Sequence, residues 1–240
     1  MSVFFQDSTA TVYNDDYRNI IDSLKFDFVL TDPPYNVSYK YLNFSDNLSS
    51  EKYIALLSPL NVYKTILIHY PESLIGDVGK ALGTPNKCVA WCYSSNLAKQ
   101  FRMIAWYGCK PDFTLVKQPY KNPNDKRIKK LIEEGSTGTR LYDWWDDIQM
   151  VKNVSKEKCK SFTNQIPIRL LERILLLTTK EGDTILDPFF GSGSLYFACK
   201  NTNRKCIGIE QSKEHLNCFF ERLDLKPKVE NDVELVKEIK

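Results

Sequence analysis

The sequence predicts an α/β fold, a mostly parallel sheet covered by helices on both faces. Three observations carry that reading. Short apolar runs alternate with helical patterns in both the first and the last part of the chain. Two of the runs stop at abrupt turns, Asp32-Pro33-Pro34 and Asp187-Pro188, where strand ends of such sheets bind ligands. The 240 residues are 42% hydrophobic and 26% charged, enough for a full core and unlike a disordered or collagenous chain.

The elements follow in order. Residues 17–24 place Ile20, Ile21 and Leu24 on one helical face. Residues 27–31 are an apolar run and read as a strand. Residues 36–50 are polar and aromatic without a period, and read as a loop. Residues 51–57 predict a helix that stops near Pro59. Residues 65–69 predict a strand, residues 72–82 a helix weakened by Gly76 and Gly79, and residues 87–93 a strand. Ser94 and Ser95 are N-cap types, so a helix is expected from there to about Tyr107, closed by Gly108. Residues 113–116 read as a further strand.

Residues 118–160 break the alternation. They hold ten Lys and Arg against seven Asp and Glu, together with Tyr120, Tyr142, Trp144 and Trp145. This span reads as a small insertion between two halves of one domain, residues 1–117 and 161–240. Alternation then resumes with a helix at 168–179 behind Pro167, a strand at 184–186, a helix at 194–200, a strand at 206–209 and a helix at 213–223. The last fifteen or so residues are charged and predict a frayed or weakly helical end.

Composition excludes several classes. A net charge of +3 does not by itself announce a nucleic-acid binder. The longest apolar stretch is interrupted by Arg169, Glu172 and Arg173, so no membrane span is expected, and the first residues lack the pattern of a signal peptide. The seven cysteines are scattered without metal-ligand spacing. They read as reduced thiols of a cytoplasmic protein, with no metal.

Two constellations carry chemistry. The first is Asp187, Pro188, Phe189, Phe190, Gly191, Ser192 and Gly193 between a strand and a helix. The glycines let the backbone turn sharply and approach a ligand. Glu210 ends the next strand, 23 residues past Asp187. An acid about 20 residues beyond a glycine turn accepts hydrogen bonds from ribose hydroxyls. The third glycine of the dinucleotide fingerprint is replaced by Tyr196, so an adenosine cofactor without a pyrophosphate fits better than a nicotinamide one. The second constellation is Asp32, Pro33, Pro34 and Tyr35. The prolines stiffen the turn, so that the Asp32 carboxylate and the Pro33 carbonyl can take the two hydrogens of an amino group, beside an aromatic ring.

Together these motifs resemble the beta class of S-adenosylmethionine-dependent DNA amino-methyltransferases. In that class the Asp-Pro-Pro-Tyr motif comes first, a target-recognition region lies between, and the cofactor motif comes last. The resemblance covers most of the chain. It implies a Rossmann-like methyltransferase fold in this permuted order. It also implies S-adenosyl-L-methionine as cofactor, and methyl transfer by direct in-line attack to the N6 of an adenine flipped out of DNA. By the same match Asp16, with Asp15 as the alternate, contacts the cofactor's adenine, and Gln165, Pro167, Asp187, Pro188, Phe189, Gly191, Ser192, Gly193 and Glu210 complete its site. Asp32, Pro33, Pro34 and Tyr35 form the catalytic clamp. The chain departs from the family at Phe162 and Ile166, where His and Lys are common. Lys121, Lys126, Arg127, Lys129 and Lys130 are the candidate DNA contacts. Dimers occur in the class, and no nuclease motif is present, so any restriction activity lies on another chain. The rival readings are an N4-cytosine or RNA-adenine methyltransferase, and a nucleic-acid-binding subunit that has lost its chemistry.

Overall fold

The computed structural model describes residues 3–39, 46–95, 98–159, 162 and 164–223. Eleven described strands and eight helices follow in chain order: β1 (Val3–Gln6), β2 (Ala10–Asn14), α1 (Tyr17–Ile20), β3 (Phe28–Thr31), α2 (Ser50–Leu57), β4 (Thr65–His69), α3 (Pro71–Ile75), α4 (Asp77–Leu82), β5 (Lys87–Cys92), β6 (Phe101–Tyr107), β7 (Lys117–Gln118), α5 (Lys126–Glu133), β8 (Thr139–Arg140), β9 (Trp144–Trp145), α6 (Ile168–Thr178), β10 (Thr184–Asp187), α7 (Ser194–Asn201), β11 (Lys205–Glu210) and α8 (Lys213–Arg222). A single sheet takes nine of the strands, in the order β1-β2-β11-β10-β3-β4-β6-β5-β9. Neighbours from β2 to β4 are parallel. The β4–β6 and β6–β5 pairs are antiparallel, and β1 folds back on β2.

Apolar residues alternate between the two faces of this sheet. On β4, Ile66 and Ile68 join one buried cluster with Leu170 and Ile174 of α6 and Leu195 of α7. Leu67 joins the other, with Leu57, Leu60 and Val78 under α2 and α4. A strand buried on both faces reads as a continuous apolar run, as residues 65–69 do. The sheet is therefore mostly parallel and covered on both sides, as the alternation predicted. All seven cysteines are thiols.

Three local expectations are corrected. Residues 101–107 form β6, not a helix, because their aromatic and β-branched side chains pack in the middle of the sheet, and that outweighs the N-cap signal at Ser94 and Ser95. Residues 113–116 form a turn; Thr114 N–H donates to the Asp112 carboxylate at 2.9 Å. The helical pattern at 72–82 breaks at Gly76 into α3 and α4. Neither β1 nor the short strands β7, β8 and β9 were anticipated. The charged tail from residue 224 lies outside the described residues.

The span 118–160 divides in two. Its first part, with β7, α5 and β8, stands out from the sheet as a ribbon carrying an exposed helix. Gly138 sits so close to the Gln118 backbone that any Cβ would collide with it. The second part returns to the core: Leu141, Trp145 and Ile148 are buried, and β9 extends the sheet beside β5.

Candidate active site

The chain leaves β10 toward β11 on one side of the sheet and leaves β3 toward β4 on the other. The switch point therefore lies between β10 and β3, where a crevice opens outside the carboxyl ends of the strands. Asp187 ends β10 and Asp32 follows β3. A cleft of about 290 Å³ opens there, continued by a narrow extension of about 60 Å³. Asp32, Phe162, Asn164, Phe189 and Gly191 line both parts. Thus the two motifs, 155 residues apart between Asp32 and Asp187, meet at one site.

On the glycine side every acid is tethered. Thr31 Oγ1 donates to Asp187 Oδ1 at 2.6 Å, and Phe189 N–H donates to the same oxygen at 3.0 Å. Glu210 receives Gly191 N–H at 2.8 Å on one oxygen and Ser212 N–H at 2.9 Å on the other, with His215 at 3.4 Å. The turn at Gly191 (φ 54°) and Gly193 (φ 78°) needs left-handed backbone. A Cβ on Gly191 would come within 2.9 Å of the Phe162 ring, which stands over the turn. Arg222 Nη1 donates to the Ser192 carbonyl at 2.7 Å and fixes the turn from behind. Burial pushes the Asp187 carboxyl up to about 7, against its two hydrogen bonds.

On the clamp side the anchoring is aromatic. The Tyr35 hydroxyl donates to Asp32 Oδ1. The Tyr35 ring is buried against His69 (centroids 4.4 Å apart) and Tyr70 (4.7 Å). Arg102 Nη1 lies 3.9 Å from Asp32 Oδ2. Burial pushes Asp32 up to about 6, with Arg102 and the Tyr35 hydroxyl pulling the other way. Behind the prolines runs a hydrogen-bond relay. Tyr70 N–H donates to His69 Nδ1 at 2.8 Å, so the His69 proton sits on Nε2. That proton faces Tyr53 Oη at 2.7 Å, and Tyr53 donates its own proton to the Pro34 carbonyl at 2.6 Å. Burial holds His69 neutral by pushing its pKa down to about 3. The loop after the clamp is pinned by buried Asp46, which accepts from the backbone N–H groups of Asn36, Val37 and Tyr39.

Of the residues expected from sequence, the cleft brings together Asp32, Pro34, Pro188, Phe189, Gly191 and Glu210, and its extension adds Asp187 and Ser192. Asp15 and Asp16 stand beside it. Asp15 N–H donates to the Glu210 carbonyl at 3.2 Å, and Asp16 caps α1 and holds Arg18, which lines the cleft. Gln165 is buried; its amide accepts from Cys159 N–H and donates to the Glu157 carbonyl, bracing the segment that carries Phe162 and Asn164 into the cleft. Pro167 opens α6 and does not line the cleft. Tyr53, His69 and Arg102 were missed; α2 and the pairing of β4 with β6 bring them behind the clamp. Lys121, Lys126, Arg127, Lys129 and Lys130 are exposed, the last four on α5.

Residues 59–221 match the model of the N6/N4 methyltransferase family, described as DNA methylase. The chain belongs to this family of DNA methylases. Its relatives include the type II methyltransferase M.HpaI of Haemophilus parainfluenzae, 31% identical over 86% of this chain and 72% of that one. M.BglII of Bacillus subtilis is 25% identical over 92% and 71%. Among solved structures, the PvuII DNA methyltransferase (cytosine-N4-specific) has a TM-score of 0.65 at 14% identity, covering 97% of this chain and 90% of that one. The M1.HpyAVI–SAM complex has a TM-score of 0.53 at 24% identity, covering 89% and 99%. These likenesses show the Rossmann-like methyltransferase fold. The methylases of this family draw their methyl group from S-adenosyl-L-methionine. The cleft fits such a ligand: a glycine turn without Cβ atoms, an acid at the adjoining strand end, and aromatic walls at Phe162 and Phe189. No helix among the described residues is long and apolar enough to cross a membrane.

Proposed function

We propose that the chain methylates the exocyclic N6 of adenine in DNA, with the base flipped out of the duplex and the methyl group taken from S-adenosyl-L-methionine. The observation that carries this reading is the position of Asp32: it lines both parts of the cofactor cleft while keeping its carboxylate at the clamp turn. Adenine over cytosine rests on the acid at the first clamp position, which is commoner among N6-adenine enzymes. Glu210 would hold the ribose hydroxyls, and the Gly191–Gly193 turn with Phe189 would hold the rest of the nucleoside. Asp16, with Asp15 as the alternate, would reach its adenine, and Gln165 would brace the segment that carries Phe162 and Asn164 near its methionine end. When bound, the cofactor supplies an electrophilic methyl group.

The chain's own residues prepare the amine. An exocyclic amine is a weak nucleophile because its lone pair is delocalised into the ring, and a stacked base is out of reach, so the base must leave the helix. Asp32 and the Pro33 carbonyl accept the two amine hydrogens and turn the lone pair out of the ring plane. Positive charge developing on nitrogen is stabilised by the ionised Asp32. Most of the acceleration comes from this positioning. Tyr35, which now donates to Asp32, yields that oxygen to the amine and turns its ring onto the base. Asp32 must be ionised, so the rate is present above pH about 6 and is lost as the pH falls through that value.

The exposed ribbon carrying Lys121, Lys126, Arg127, Lys129 and Lys130 would meet phosphates. Lys129→Glu with Lys130→Glu should weaken binding about tenfold or more on every DNA sequence and flatten its salt dependence. Unchanged affinity at low salt would remove α5 from the interface.

Nucleoside mass spectrometry tests the whole reading. Mixed-sequence duplex is incubated with protein and S-adenosyl-L-methionine, digested and scanned, with Asp32→Ala in parallel. N6-methyladenine from the unmutated chain alone supports it. N4-methylcytosine would keep the clamp and overturn the base. A product from Asp32→Ala at normal yield would overturn the clamp.

A further inference from the structure

Arg102 is the most unusual charge in the described structure. It is the second residue of β6, opposite Trp91, with 5% of its side chain exposed. Its guanidinium carbon lies 5.1–5.8 Å from the ring centroids of Tyr35, Tyr70, Trp91 and Tyr93. Its Nε and Nη1 are buried without a hydrogen-bond acceptor. Such a group is costly to bury unless something offsets it. The rings supply part of that through cation–π attraction. Among the described residues the only carboxylate within ion-pair distance is Asp32, and at 3.9 Å it is faced, not hydrogen-bonded.

The spacing matters chemically. A bidentate Arg–carboxylate pair would occupy both oxygens. A guanidinium held back by four rings supplies positive charge and leaves Asp32 Oδ2 available. We propose that Arg102 is a positioning residue that keeps the half-buried Asp32 ionised through charge alone, leaving its oxygens to the amine of the target base. This rests on the reading of Asp32 as the amine's acceptor.

Arg18 of α1, the other arginine lining the cleft with Asp32, is paired with Asp16, which leaves Arg102 as the cation in place. From the clamp loop, the Tyr35 hydroxyl donates to Asp32. From β10, Asp187 is itself pushed up to about 7 by burial and in part by the charges of Asp32 and Glu210, and supplies no cation. Just past β5, Tyr93 is neutral, and at the end of β4 stands neutral His69 with Tyr70 next to it. Lys99, over the Tyr70 ring, pairs with Glu72. An opposite charge at this range lowers a carboxyl pKa by about 1–3 units. Its removal should raise Asp32 by a similar amount, out of the range where it is ionised at neutral pH.

The test titrates Asp32 directly, by carboxyl-carbon NMR of the full chain labelled at aspartate, with Asp32→Asn assigning the signal. The unmutated protein should show a midpoint near 6. Arg102→Met should move it up by at least about one unit, and Arg102→Lys should return it to within about half a unit of the original. Arg102→Gln, which keeps a polar stem, serves if the Met variant does not fold. If neither neutral variant folds, the unmutated midpoint decides: near 6 supports the proposal, and above about 7 shows no pull from the guanidinium and overturns it. A midpoint unmoved by loss of the charge, or moved as far by Lys as by Met, also overturns it. The acid limb of methylation against pH should follow the same shift, with KM for DNA unchanged. The titration needs no DNA. A chain that makes no methylated base but shows the shift would lose the functional reading and keep the charge-setting role. A methylating chain without the shift would do the reverse.

Discussion

Asp32 and Asp187 stand at neighbouring strand ends, are both pushed up by burial, and are built in opposite ways. Asp187 is held by short, directional bonds from Thr31 and Phe189, both to one oxygen. Asp32 has a single tyrosine hydroxyl and a guanidinium at a distance. The first arrangement fixes a wall. The second leaves a reactive group poised, with its acceptor capacity unspent. The lesson is that burial alone does not mark the reacting carboxylate; the number of fixed donors around it does.

The sharpest way to break the comparison is to neutralise each acid. Asp32→Asn should lower methyl transfer by about a thousandfold or more, because the amide keeps only one acceptor oxygen and carries no charge to stabilise the developing positive nitrogen. Cofactor affinity, read by calorimetry, should stay within about threefold. Equal losses of turnover in Asp32→Asn and Asp187→Asn would erase the distinction drawn here.

Glu210→Ala probes the tethered side. It removes an acceptor for ligand hydroxyls and frees the Gly191 and Ser212 N–H groups. Cofactor affinity should fall about 10–100-fold, or about 1.4–2.7 kcal/mol, and turnover at saturating cofactor should largely recover. A turnover deficit that saturation does not repair would place Glu210 with the clamp.

Asp187→Asn tests the wall itself. Both donors reach Oδ1, so an asparagine oxygen can keep both bonds. The folded pKa is raised to about 7 from an ordinary 3.8. The stability conferred by the protonated acid is therefore complete below pH about 4 and lost as the pH rises through 7. Asparagine removes that loss: the variant should gain about 1–2 kcal/mol at pH 8 and almost nothing at pH 4. Thermal denaturation at both pH values checks it, and a destabilised variant at pH 8 would show that the charge is needed for the fold.

Much of this was legible in the sequence because the motifs lie at strand ends. Asp32 and Glu210 follow directly from apolar runs that stop at turns, and the parallel half of the sheet repeats strand and helix within a residue or two of expectation. The antiparallel half was legible only in part: β5 read as a strand, but β6 did not. Residues 101–107 carry Arg102, Ile104 and Trp106 on one face of a strand, yet two serines upstream suggested a helix. A charged residue near the start of a strand looks like a solvated position until the pairing with β5 encloses it in aromatic rings. The same blindness hid the relay behind the prolines, whose members come from α2 and β4.

That relay allows the finest test of how the clamp is held. His69 accepts from Tyr70 N–H, which fixes its proton on Nε2 and commits the Tyr53 hydroxyl to the Pro34 carbonyl. With Pro34 so occupied, the turn is fixed one residue from the Pro33 carbonyl that the amine needs. Tyr53→Phe keeps the ring in its buried place and deletes only the hydroxyl. The Pro34 carbonyl and the His69 Nε2–H then lose their partner, at a cost of about 1–2 kcal/mol in stability. If the relay positions the clamp, turnover should fall about 3–10-fold while KM for cofactor and DNA stays level, the signature of an interaction felt in the transition state. If it serves only the fold, the stability loss will appear with turnover unchanged. The tyrosine-and-histidine backing would then be packing, and the rigidity of the Asp-Pro-Pro-Tyr turn would come from its two prolines alone.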